Sequence, residues 1–109
     1  MYSDTEIQDC AQTIAERFNP QRIILFGSHA NKTATSNSDV DLLVIMPYEG
    51  KSSRVALKIR RGLKKNFPLD LLVKDPLETE RRIAQGDLFL KNAVQSGKVL
   101  YERSHPGMD

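Results

Sequence analysis

Residues 40–46, VDLLVIM, restrict the fold of this chain more than any other stretch, because a run so apolar carries a carboxylate, Asp41, at its second position. Its length and its branched side chains, with Pro47 as a stop, mark a strand buried on both faces. A second carboxylate, Asp39, stands just before it. Alternate side chains of a strand leave the same face, so the two acids point to one side, a few ångströms apart. Two like charges held that close repel unless a proton or a cation lies between them. Asp39 capping the preceding loop and Asp41 accepting backbone hydrogen bonds is the structural alternative. An ionised carboxylate in such a run is nevertheless costly to bury unless paired or metal-bound. A divalent cation is the economical explanation. Hard oxygen donors without histidine or cysteine partners suit magnesium, which shares one or two carboxylates with substrate phosphates.

Two further features point to the same place. Residues 22–26, RIILF, form a short apolar run that reads as another buried strand, and Gly27-Ser28 follows it directly. Glycine lets the backbone approach a ligand closely, and the N–H groups of a following helical turn attract phosphate. The Ser28 hydroxyl adds a donor for a phosphate oxygen. Taken alone, Gly-Ser after a strand is more often just a turn. The other feature is Asp70, which interrupts the apolar run 69–73, LDLLV, as Asp41 interrupts its own. If those strands are neighbours, Asp70 faces the pocket of Asp39 and Asp41. There it can ligate the metal and accept a proton from an attacking hydroxyl. The competing account is an edge carboxylate paired with Lys74 or an arginine.

The remaining chain supplies cover for these strands. Ser3 or Asp4 caps a helix over 3–18, with Glu6 placed for a capping box and an apolar stripe of Ile7, Cys10, Ala11, Ile14, Ala15 and Phe18. Asn19-Pro20 ends it. Ser52 or Ser53 is expected to cap a second helix, in which Val55, Ile59, Leu63 and Phe67 recur every four residues until Asn66, Phe67 and Pro68 stop it. Asp75-Pro76 turns the chain into a helical segment over 77–85, broken at Gly86. A further amphipathic helix carries Leu88, Phe89, Ala93 and Val94, with Gly97 as its C-cap. Residues 98–102, KVLYE, read as a short last strand. The expectation is one domain over 1–102 and a loose tail over 103–109.

Composition excludes several classes. A net charge of +2 over 109 residues argues for neither nucleic acid nor membrane. The basic face Lys58, Arg60, Arg61, Lys64 and Lys65 has no interleaved aromatic residues and reads as a solvated helix surface rather than a nucleic-acid site. No apolar run nears the ~20 residues of a membrane span. The N-terminus MYSDTEIQDC lacks the basic and then apolar regions of a signal peptide. One cysteine, Cys10, forms no internal disulfide and fits a buried position in a reducing compartment. A cytoplasmic chain is expected.

GSHA at 27–30, DVD at 39–41, Asp70 within PLDLLV and the ending SGKVLYE together resemble the signature of the nucleotidyltransferase superfamily that includes DNA polymerase beta. The small size resembles its minimal branch, the MNT proteins. The resemblance implies an α/β (α+β) nucleotidyltransferase fold, a small mixed β-sheet with helices packed on it. It implies that Gly27 and Ser28 hold the triphosphate of ATP, that Asp39 and Asp41 bind Mg2+, and that Asp70 completes a catalytic, metal-binding triad. Minimal members resemble antitoxins that transfer AMP from ATP to a tyrosine of a HEPN-domain RNase toxin, in a hetero-oligomer with it. Where the family often has arginine after Gly-Ser, this chain has His29, with Asn31-Lys32 following. A neutral histidine supplies less positive charge, part of which Lys32 replaces. His29 itself reads as a loop histidine.

The functional expectation is therefore a magnesium-dependent transferase acting on a partner protein. The alternative is a binding module of the same fold that silences the toxin by covering it. Transfer to a small molecule such as an aminoglycoside fits poorly, since an acceptor pocket usually needs a further domain.

Overall fold

Ser3 and Glu6 close the first helix reciprocally: the Glu6 N–H donates to Ser3 Oγ at 3.2 Å, and the Ser3 N–H donates to Glu6 Oε1 at 3.1 Å. In the computed structural model, which describes residues 3–35, 38–63 and 68–103, this capping box opens α1 (Asp4–Phe18). Asn19 ends α1 in the left-handed conformation, φ 48°, with its N–H on the Ala15 carbonyl. There follow β1 (Arg22–Phe26), β2 (Val40–Ile45), α2 (Ser52–Arg61), β3 (Leu69–Lys74), α3 (Pro76–Ala84), α4 (Leu88–Ser96) and β4 (Lys98–Glu102).

The four strands form one mixed sheet in the order β3-β2-β1-β4. β1 lies antiparallel to both β2 and β4, whereas β2 and β3 run parallel and are joined through α2. A parallel pair requires such a crossover. Period-two alternation divides the apolar side chains between two cores. Ile23, Leu25, Val40, Leu42, Val44, Leu69, Leu71 and Val73 face α1 and α2, meeting Ile7, Cys10, Ala11, Ile14, Ala15 and Ile59. Ile24, Leu43 and Ile45 face the other way, onto Leu90 and Ala93 of α4. The expected mixed sheet with packed helices is thus observed, and β1 and β2 are covered on both sides.

Several boundaries differ from expectation. Neither Ser52 nor Ser53 caps α2; Lys51 holds that position without a side-chain bond, and both serines lie inside the first turn. The helix ends at Arg61 with Gly62 as its C-cap, short of Asn66. Glycine disfavours helix by about 1 kcal/mol, and the position of a Gly62 Cβ lies 2.9 Å from Arg17 Nη1. Lys64, Lys65, Asn66 and Phe67 lie outside the described residues, as do Ser36 and Asn37. α3 starts at Pro76, not Leu77, because Asp75 caps it through bonds from the Leu77 and Glu78 N–H groups at 2.9 and 3.2 Å. Arg103, expected in a loose tail, donates its N–H to Gln21 O at 2.9 Å and its Nη1 to Asn19 O at 3.2 Å; residues 104–109 lie outside the description. Among the described residues no helix is long and apolar enough to cross a membrane.

Candidate active site

Register places the acids. Val40 opens the parallel ladder by donating to Pro68 O at 2.9 Å, which sets Asp41 opposite Asp70. On its other side Asp41 pairs with Phe26, the last residue of β1. Asp70, Asp41 and Phe26 therefore form a row across three strands at one end of the sheet. Alternation turns Asp41 to the side of Leu43 and Ile45, the α4 face.

The chain leaves that row at Gly27, whose φ of 75° suits glycine. Space demands glycine as well: a Cβ there would collide with Asp41 Oδ2 and lie 3.1 Å from Asp41 Cγ. A single helical turn follows, closed by the Asn31 N–H on Gly27 O at 3.1 Å and extended by the Thr33 N–H on Ser28 O at 2.9 Å. Ser28, His29 and Ala30 supply the first N–H groups of that turn, which a helical turn cannot satisfy from within. Lys32, at φ 60°, bends the loop back toward Ser38, where the Ser38 N–H donates to Thr35 O at 3.1 Å.

The electrostatics follow from this packing. The Asp41 carboxyl is pushed above the ordinary carboxylate range, first by burial, then by the charges of Asp70 and Asp39. His29 opposes the rise, and a side-chain hydrogen bond with Asp70 adds to it. The structure therefore sets Asp70 opposite Asp41 across the ladder, with Asp39 near enough to act through its charge. Asp39 is exposed, as is Asp70, and Asp41 is half-buried. Among the described residues no three His, Cys, Asp or Glu side chains converge closely enough to hold a metal ion. The convergence is of a pair, not the expected trio. Asp39 precedes the ladder, and it is its backbone carbonyl that meets His29.

A pair suffices for the chemistry of magnesium, which takes one or two carboxylates together with phosphate oxygens. The pairing of Asp41 with Asp70 across the ladder marks two hard donors whose charge a cation would neutralise. The absence of a Cβ at Gly27 leaves the Asp41 carboxylate open to a ligand from the turn. The residues present fit such an ion.

His29, read from the sequence as a loop histidine, does more than fill the loop. Its Nδ1 lies 3.0 Å from the Asp39 carbonyl. A carbonyl only accepts, so Nδ1 carries the hydrogen in that bond. Nε2 is buried with no hydrogen-bond partner among the described residues. The ring thus ties the Gly-Ser turn to the residue before β2. Adjacency to Gly27-Ser28 was the one signal; the contact itself depends on how the loop closes. Cys10, by contrast, is buried in the core, its thiol pushed up to about 11 by that burial, and plays no part here.

The family model for polymerase beta nucleotidyltransferases matches residues 8–106. A Sulfolobus solfataricus protein designated a nucleotidyltransferase superposes with a TM-score of 0.64 at 19% identity, over 91% of this chain and 79% of that one. A toxin-antitoxin crystallised with AMP-PNP superposes with a TM-score of 0.57 at 21% identity, over 89% of this chain and 74% of that one. At such identities both likenesses concern the fold. No curated protein sequence matches the chain.

Proposed function

This chain belongs to the polymerase beta nucleotidyltransferase family, and from that premise we propose that it transfers AMP from ATP to a tyrosine hydroxyl of a partner toxin of the HEPN class. The observation that carries the reading is the Asp41–Asp70 carboxyl pair set beside the Gly27-Ser28 turn. The turn's N–H groups and the Ser28 hydroxyl bind the triphosphate. Asp41 and Asp70, with Asp39 close by, hold Mg2+. When bound, the ion neutralises phosphate charge and favours displacement of pyrophosphate. Asp70, exposed at the sheet's end, takes the proton of the attacking tyrosine as its oxygen bonds the α-phosphorus and the bond to pyrophosphate breaks. His29 keeps the turn against Asp39, so phosphate donors and carboxylates stay in fixed relation. The AMP-PNP in the toxin-antitoxin neighbour supports an adenine nucleotide and a protein partner.

The test is labelling. ATP carrying label at the α-phosphate, magnesium and the proposed HEPN-class partner should give labelled partner. Asp41→Asn and Asp70→Asn should each abolish the label; undiminished labelling by either removes the catalytic assignment.

A second reading is a binding module that neutralises the toxin by covering it. Leu77 and Leu88, 75% and 68% exposed on neighbouring helices, favour it. Neutralisation in cells that survives Asp41→Ala and Asp70→Ala would decide for that reading.

A further inference from the structure

Next to the phosphate turn lies a cavity of about 250 Å³ that the transfer chemistry leaves unused. Phe26 and Gly27 bound it at the end of β1, Asn31 at the close of the turn, and Phe89, Asn92 and Ser96 along α4. The last three share one helix face by their spacing. The Phe89 ring meets Phe26 edge-on, with centroids 5.5 Å apart and planes at 86°. Phe89 remains 51% exposed, so an aromatic face is available to a ligand.

Three properties restrict the occupant. No charged side chain lines the cavity, so away from the turn residues Gly27 and Ala30 at its edge it offers nothing to a phosphate or a metal ion. Its volume falls below the ~300–1,000 Å³ typical of sites for drug-sized molecules, which suits one flat ring system. Gly27 belongs both to this wall and to the phosphate turn, so a ligand gripped by its phosphates at the turn has its uncharged end here. We propose that the cavity holds the nucleobase of the triphosphate and favours adenine, an inference that rests on the nucleotidyl-transfer reading. Phenylalanine offers a stacking surface. A carboxamide such as Asn92 presents the donor and acceptor that pair with adenine N7 and N6–H2. Guanine's N1–H and N2–H2 edge pairs best with a carboxylate, and the lining has none.

Calorimetric titration of the whole chain with AMP-PNP, GMP-PNP and inorganic tripolyphosphate, each in magnesium, tests this. Phe89→Ala, at an exposed position, should weaken AMP-PNP by roughly tenfold or more, the scale of one lost stacking contact. Asn92→Asp should weaken AMP-PNP and narrow its lead over GMP-PNP. Tripolyphosphate should bind wild type and both variants alike. Unchanged AMP-PNP affinity in both variants overturns the assignment while the transferase reading stands. Variants that keep nucleotide affinity but lose transfer to the partner give the cavity to the acceptor side chain, and the assignment fails. A wild-type chain that binds neither AMP-PNP nor tripolyphosphate removes the transferase reading, and this inference falls with it.

Discussion

Asp41 and Asp70 are Cα partners across the parallel β2–β3 pair, and the charge of Asp70 helps to push the Asp41 carboxyl above the ordinary carboxylate range. Neighbouring strands lie about 4.8 Å apart, so the sheet itself sets the separation of the two acids. No loop has to close to bring them together. Their mutual repulsion is built into the fold and is relieved by a proton or a cation.

That repulsion makes Asp41→Asn informative for stability as well as activity. The folded-state carboxyl of Asp41 is raised above its ordinary value. Its stabilising contribution is therefore present below the unfolded pKa and lost as pH rises through the folded one. A neutral Asn at this position removes the charge that burial and the neighbouring acids oppose, so it should raise Tm at pH 7 while nucleotidyl transfer falls to background. The gain should close as pH drops below the ordinary carboxylate range. Magnesium should raise the Tm of wild type more than that of the variant. A variant less stable than wild type at pH 7 contradicts the account.

Gly27→Ala should fail twice over. The residue sits at φ 75°, and the new methyl would meet Asp41 Oδ2. Backbone strain of this kind costs about 1–3 kcal/mol, readable as a lower urea midpoint. Displacing the carboxylate or the turn by an ångström should cost roughly 100-fold in transfer rate. Activity within a few-fold of wild type would show that Gly27 and Asp41 tolerate separation.

Gly97→Ala probes packing away from the acids. A Cβ there would crowd Ala93 O, Ile24 Cγ2 and Leu25 O, two of them backbone atoms that cannot swing aside. Overpacking of this kind costs about 1–3 kcal/mol. Urea denaturation should show the loss with an unchanged m-value.

Asp87 governs an acid-side transition. The Leu90 N–H, at 3.0 Å, holds its carboxylate below the usual range against the opposing effect of burial, and Arg82 Nε at 3.1 Å adds to the lowering. A depressed folded pKa gives stability that is present above the unfolded value and lost as pH falls through the folded one. Wild type should therefore exceed Asp87→Asn in Tm at pH 7, and the two should converge in acid. A gap that is constant with pH would assign Asp87 a capping role without charge.

Much of this architecture was legible because local and periodic signals agreed. The Ser3–Glu6 capping box, the run Arg22–Phe26 and the strand Lys98–Glu102 all lie where the sequence puts them. The end of α2 was hidden because its apolar and basic spacing continues past Gly62, where a single glycine outweighs the pattern. The start of α3 was misread by one residue, although Asp before Pro at the first helical position is itself a cap signature. Of the acids, Asp41 and Asp70 were found from carboxylates interrupting apolar strands. That Asp39 stands outside their paired strands depends on where the β2–β3 ladder begins, which no local pattern records. The Phe26–Phe89 contact joins residues distant in sequence, and neither ring carries a mark of the other.

Parallel pairing gives the acid pair one more property. Side chains alternate across a strand, so sliding β3 past β2 by one residue would carry Asp70 to the opposite surface and put a leucine in its place. Turnover by this chain would therefore report alignment: a refolded or redesigned sample with its ribbons out of step would be silent in an assay even where it regains its helix content and compactness.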